Sequence, residues 1–189
     1  VSGPGLFIAV VGPSGAGKDT ILARLKAGLP PEHFVFPLRV ISRIPDAHEA
    51  SDYLAAADFP AARRRGAFLI DWEAHGLCYG IPAAMRAELE AGRHIIANLS
   101  RAVVPVLRAA IPRVLVVHVT ARSDILEQRL RARGREFDAD QQARLARGEA
   151  LDQSVEADIR IENNGSIDMA VSALMEALMP LCARERRRA

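Results

Sequence analysis

A chain of 189 residues has room for one domain with a sizeable core, since single domains usually run to about 100–200 residues. Half of the residues are hydrophobic and a quarter are charged, the balance of a folded chain rather than of extended disorder, and a formal net charge of +2 names no partner. Cys78 and Cys182 lack metal-ligand or redox spacing and read as reduced thiols, and the apolar run Leu6 to Val11 is too short to span a membrane and lacks a charged n-region, so a cytoplasmic location is expected.

Leu6 to Val11 is predicted as a buried strand that stops at Gly12 and meets a glycine-rich turn. A helix over about Asp19 to Ala27 follows, closed by Gly28 and the Pro30-Pro31 pair. The apolar runs Val35 to Ile41, Ile95 to Leu99 and Val114 to Thr120 predict strands, with helices at Pro82 to Ala91, Arg101 to Ala110 and Ser123 to Arg133. Asp138 to Glu149 is polar and helical, Ile159 to Glu162 a short strand, and Asp168 to Arg184 an amphipathic last helix. Strands alternating with helices imply an α/β fold whose parallel sheet is covered on both faces. Arg184 to Arg188 is mostly basic and reads as a solvated helix end, so no nucleic acid is expected as partner. The periodicity leaves the oligomeric state open.

Between the first strand and first helix, Gly12, Pro13, Ser14, Gly15, Ala16, Gly17 and Lys18 match the P-loop pattern in its required strand-turn-helix context. The glycines let the backbone wrap phosphate oxygens with N–H groups, and the helix adds its positive N-terminal end. Of the 25 lysines and arginines only Lys18 and Lys26 are lysine, so Lys18 departs from the chain's habit where a compact charge for the β and γ phosphates is needed. The residue after that lysine is normally Ser or Thr, whose hydroxyl ligates magnesium; here it is Asp19, followed by Thr20. Asn98 ends a strand where many P-loop enzymes carry a metal-holding carboxylate. The reading is that the carboxylate has changed places, Asp19 approaching Mg2+ directly or through water; the alternative is that Asp19 only caps the helix. ATP with Mg2+ is the expected cofactor pair. Neither an Asn-Lys-x-Asp nor an Asp-x-x-Gly motif is present, which counts against a regulatory GTPase.

The P-loop, Ser42-Arg43-Ile-Pro45, Gly76-Leu-Cys-Tyr79-Gly80 and the late arginine-rich segment together resemble the guanylate kinase fold over nearly the whole chain. The resemblance implies a single P-loop kinase domain over 1–189 with a three-layer fold, an acceptor-binding insert at about 37–82 and a lid at about 134–149. Aligned on Tyr79-Gly80, Ile70 stands where that family has its guanine-reading glutamate and Ile81 where it has a hydroxyl; aligned on Gly92, Asn98 and Ser100 replace two aspartates. Guanine's N1 and N2 donors need buried acceptors, and those are missing. Arg39 stands where a small serine is usual, and its charge favours a second phosphate over a base.

These departures, with Gly17-Lys18-Asp19, Arg39, Arg43, Trp72-Glu-Ala-His75-Gly76-Leu77, Tyr79-Gly80 and Asn98-Leu-Ser100-Arg101, resemble the ribose 1,5-bisphosphate phosphokinases. That resemblance implies transfer from ATP to ribose 1,5-bisphosphate, giving 5-phosphoribosyl 1-diphosphate in bacterial phosphonate use. A phosphate acceptor has a second pKa of about 6 and needs no general base. Arg39, Arg43 and Arg101 are candidates for gripping the acceptor's phosphates, guanidinium forks matching phosphate geometry, with Trp72, Tyr79 and Ser100 as further substrate contacts. Arg133, Arg135 and Arg144 are candidates for meeting the transferring phosphoryl group under a closing lid. Asn164, in Asn163-Asn164-Gly165, resembles the family's loop beside adenine. A nucleoside monophosphate kinase with altered base preference and a catalytically silent nucleotide-binding module are the alternatives.

Overall fold

Strand β1 (Phe7–Val11) is buried at all of its positions, so its alternating side chains serve two separate cores. The computed structural model describes residues 3–44, 51–74, 76–132 and 155–186. In these, β1 is the middle of a five-stranded sheet of order β2 (Phe34–Val35), β7 (His94–Asn98), β1, β8 (Val114–Thr120), β9 (Ile159–Glu162), every pair parallel. Ile8 and Val10 meet Ile21 and Leu25 of helix α1 (Lys18–Gly28), Leu126 of α5 (Ser123–Ala132), and Leu174 and Leu178 of the last helix, α6 (Ile167–Arg186). Phe7, Ala9 and Val11 meet Leu89 of α3 (Met85–Glu90) and Leu107 of α4 (Val104–Ala110). The result is the expected sheet with both faces covered. Leu174 has 0% exposure; Leu174→Ala is expected to cost about 2–5 kcal/mol, read as a lower denaturation midpoint with an unchanged m-value.

A second, four-stranded sheet has the order β4 (Ser51–Tyr53), β3 (Arg39–Ile41), β6 (Leu77–Pro82), β5 (Phe68–Ala74). It is mixed, with β3 and β4 parallel and β3-β6 and β6-β5 antiparallel. A short helix α2 (Phe59–Arg64) leads into it, tied to β5 by an ion pair from Arg63 to Asp71 at 2.5 Å. The apolar face of β5, with Leu69, Ile70 and Trp72, joins the same core as Phe7 and Val11, which fixes the second sheet against the first.

Three expectations change here. The run Val35 to Ile41 is two strands in two sheets, because Pro37 carries no N–H for a ladder and interrupts the strand where the chain crosses over. The helix expected from Pro82 begins only at Met85, because Pro82 ends β6 opposite Phe68. Arg101 to Ala110 opens as a 3-10 turn, Arg101–Val103, before α4. In contrast, α6 continues through Pro180, although an internal proline costs a helix about 3 kcal/mol; buried Leu174, Leu178 and Cys182 hold it to the sheet. Neither Cys78 nor Cys182 is in a disulfide. Among the described residues no helix is long and apolar enough to cross a membrane.

Candidate active site

The carboxyl end of the central strand of an open parallel sheet, where the connections diverge to either side, is a natural ligand crevice. Here β1 ends at Gly12 between the ends of β7 and β8. Gly12 has φ +146°, and a Cβ there would lie 1.9 Å from the Val119 carbonyl oxygen. Only glycine lets the loop leave the sheet this close to β8. Gly17, at φ +89°, is the N-cap of α1, and a Cβ on it would meet Asn163 Nδ2 at 2.6 Å. That amide donates to the Ala16 carbonyl at 2.9 Å from a residue only 1% exposed. Asn163 N–H in turn bonds the Thr120 carbonyl at 2.8 Å, so the end of β9 supports the loop from beneath. The first-turn amides of α1 have no acceptor within the helix and point where an anion would be held.

Lys18 Nζ donates to the carbonyls of Gly12 and Pro13 at 2.9 and 2.7 Å, which curls the ammonium back to the mouth of the loop. Pro13, Gly15 and Ala16 are buried, whereas Ser14, Asp19 and Thr20 are exposed. Asp19 makes no helix cap, since the cap position is Gly17 and carries no side-chain bond. Its Oδ1 instead accepts from Asn98 Nδ2 at 2.8 Å. The residue that ends β7 and the residue that follows the P-loop lysine, 79 positions apart, are therefore direct partners.

The same Asn98 receives the second sheet. Arg39 donates from Nη1 to the Asn98 carbonyl at 3.2 Å, and its guanidinium lies 5.9 Å from the centroid of Tyr79, within cation–π range. Tyr79 stacks on Trp72 at 5.3 Å with ring planes 7° apart, the two being cross-strand partners in β6 and β5. Trp72, Tyr79, Arg39, Asn98 and Asp19 thus form one continuous chain of contacts from the insert to the P-loop. Ile70 and Ile81 are direct cross-strand partners, exposed 6% and 0%; this pair offers no acceptor to a purine edge.

The other expected substrate residues are less closely gathered. Arg43 is half-buried just past β3, after Ser42, whose N–H bonds the Cys78 carbonyl at 3.0 Å while its hydroxyl accepts from Cys78 N–H at 2.8 Å. Ser100 and Arg101 are half-buried beyond β7, and Arg101 borders a cavity of about 340 Å3 shared with Arg108 and Glu156. Asn164 is exposed, accepts from Arg122 N–H at 2.7 Å and donates to Glu162 at 3.2 Å. Arg122 also grips Asp124, whose carboxyl is held below the usual carboxylate range by that hydrogen bond. Arg133, Arg135, Arg144 and His75 lie outside the described residues, as does the expected lid at 134–149.

Two residues join the site that the pattern alone did not select. Asn163, not Asn164, makes the buried contact with the P-loop. Arg129 of α5 donates to the Asn163 carbonyl at 3.1 Å and reaches the Gly15 carbonyl at 3.5 Å, putting a guanidinium beside the phosphate cradle. Asn163 belongs to the Asn163-Asn164-Gly165 segment and Arg129 to the predicted helix Ser123 to Arg133, but choosing among adjacent asparagines and arginines needs the direction of each side chain. Among the described residues no three His, Cys, Asp or Glu side chains converge. A magnesium ion held by one carboxylate, water and nucleotide phosphates matches the donor set of Asp19 and Thr20 at the loop's end.

The guanylate kinase family model matches residues 6–180. Over 176 residues the chain is 42% identical to the ribose 1,5-bisphosphate phosphokinase PhnN of Methylobacterium radiotolerans, covering 93% of this chain and 98% of that one. It is 41% identical over 177 residues to the bifunctional ribose 1,5-bisphosphokinase-thymidine phosphorylase of Cupriavidus pinatubonensis, covering 92% of this chain. The chain spans 29% and 27% of the length of two such bifunctional relatives. The crystal structure of guanylate kinase from Anaplasma phagocytophilum superposes with a TM-score of 0.70 at 16% identity, covering 95% of this chain and 87% of that one, a likeness of fold.

Proposed function

The chain belongs to the guanylate kinase family and, within it, to the ribose 1,5-bisphosphate phosphokinases, and from that premise we propose that it transfers the γ-phosphoryl group of ATP to the 1-phosphate of ribose 1,5-bisphosphate. An oxygen of that phosphate forms the new bond to the γ phosphorus, the bond to the β–γ bridging oxygen breaks, and ADP and 5-phosphoribosyl 1-diphosphate leave. The observation that carries this reading is Arg39. Its guanidinium is positioned on Tyr79 and the Asn98 carbonyl, close to the P-loop, where the phosphate acceptor and the triphosphate must meet. The paired Ile70 and Ile81 argue against a guanine acceptor, because its donors would lose water without gaining partners.

Each residue then has a physical task. The loop amides and the α1 terminus hold the ATP phosphates, Lys18 offsets charge on the β and γ groups, and Arg129 adds a second cation beside the loop. Asp19 would hold magnesium directly or through water, and the ion, when bound, would supply positive charge that offsets the phosphates' developing negative charge. Arg39, Arg43 and Arg101 hold the acceptor's two phosphates, with Trp72 and Tyr79 of the 37–82 insert and Ser100 past β7 as further contacts. Arg133, just before the 134–149 lid, and Arg135 and Arg144 within it stabilise the transferring group, and Asn164 lies on the adenine side. The acceptor oxygen is already largely ionised at neutral pH, its second pKa being about 6, so catalysis rests on alignment and charge neutralisation.

Phosphorus NMR of the products from ATP and ribose 1,5-bisphosphate tests the assignment. A diphosphate at carbon 1 is the expected signal; ADP release with GMP at an equal or higher rate would reverse it in favour of a nucleotide kinase. Arg39→Lys keeps the charge but loses the planar fork, and is expected to raise the KM for the sugar bisphosphate by about 10–100-fold, with a smaller change in the KM for ATP. Steady-state titration of each substrate separates the two effects.

A further inference from the structure

We propose that Asn98 is a positioning residue that orients the Asp19 carboxylate with its side chain and the Arg39 guanidinium with its carbonyl, coupling the acceptor site to the metal-nucleotide site. The inference rests on the proposed reaction only for the identity of the acceptor. Its structural basis is that one residue makes both contacts: Nδ2 donates to Asp19 Oδ1 at 2.8 Å, and the main-chain oxygen accepts from Arg39 Nη1 at 3.2 Å.

Asn98 sits at the end of β7, registered against Val10 of β1, with Leu99 N–H bonded to the Val10 carbonyl at 3.0 Å. Its backbone therefore has little freedom, and neither does the carbonyl that Arg39 grips. Arg39 is in turn held over Tyr79, which is stacked on Trp72. A phosphate that draws the guanidinium toward itself changes the load on the Asn98 carbonyl, and Asn98 faces Asp19 with its side chain.

The residue type follows from the contact. A carboxylate accepts only, so its partner must donate, and the amide is the uncharged side chain that does so here. Aspartate at 98 would place two acceptor-only, like-charged groups within hydrogen-bond distance, splaying them apart. Asparagine at 98 and aspartate at 19 are thus a matched pair, and the sequence reading of a carboxylate that changed places becomes a two-residue exchange. Groups that orient a metal-holding carboxylate typically matter 10–100-fold in metal affinity.

The test measures binding without turnover. The full chain is titrated with a fluorescent, non-hydrolysable ATP analogue over a range of free magnesium, with and without ribose 1,5-bisphosphate. In Asn98→Ala the magnesium needed for half-maximal tight binding is expected to rise about tenfold or more, with magnesium-free binding unchanged. The tightening of analogue binding by the sugar bisphosphate is expected to fall to near unity. Asn98→Asp should be worse than Asn98→Ala, and Asp19→Ser with Asn98→Asp should recover magnesium dependence relative to Asn98→Asp alone, a rescue that a merely structural role would not produce. Melting curves confirm folding, and where Asn98→Ala fails to fold, the comparison of Asn98→Asp with the double variant decides. An unchanged magnesium midpoint, or no rescue, overturns the inference even if the wild type makes the diphosphate product. A shifted midpoint with rescue upholds the Asn98–Asp19 pairing even if another phosphorylated acceptor proves to be the substrate.

Discussion

Lys18→Ala is expected to lower kcat/KM for phosphoryl transfer by about a thousandfold or more, since losing one charged group that faces developing phosphate charge costs roughly 3–4 kcal/mol or more. Most of the loss should fall on kcat, because charge moves onto the β–γ bridge as the bond breaks and the ammonium binds that state better than the ground state. The fold should survive. Lys18 is half-buried, and its bonds to the Gly12 and Pro13 carbonyls lie within its own loop, where water can replace the ammonium once the side chain is gone. Kinetics and a melting curve on the same preparation check both halves. Retention of more than about a tenth of wild-type kcat would remove Lys18 from the chemistry.

Gly12→Ala is expected to act through structure, and more broadly. The added methyl lies 1.9 Å from a backbone oxygen of β8 and the position has φ +146°, so no side-chain rotation relieves it. Either the loop leaves its place or β8 moves from β1, at a cost of about 3 kcal/mol or more. For a chain this size that lowers the melting temperature by roughly 6–12 °C, with nucleotide binding lost in step. Gly66→Ala is the control, also at positive φ but with open space around the added methyl; only the backbone penalty of about 1–2 kcal/mol applies there. Equal losses in the two variants would show that φ, rather than the close approach to Val119, sets the requirement for glycine at 12.

The comparison of Ile70 with Asn98 shows what each level of description could reach. Ile70 and Ile81 could be noticed from the sequence as missing polar groups, but their direct pairing across β5 and β6 belongs to a hairpin with no simple periodic signature. Alternation is masked there because parts of both strands are buried on a shared core, and the hairpin turns at Gly76 with φ +72°. Pro37 lies inside the run Val35 to Ile41 that the sequence pattern predicts as one strand, and only the structure shows that the chain changes sheets around it. The 3-10 opening before α4 and the strand ending at Pro82 shifted element ends by a few residues and left the site's composition unaltered.

By itself the sequence determined the P-loop, the order of the principal strands and helices, and the unusual pairing of residue types at Asp19 and Asn98, because these depend on local backbone preference and on contiguous motifs. Tertiary structure decided which side chains meet. It placed Asn98 against Asp19, Arg39 against Asn98, and Asn163 rather than Asn164 beneath the loop. Those contacts join positions 59 to 147 residues apart, and hydrophobic burial on the two faces of β1 brings their strands and helices together at one end of the sheet.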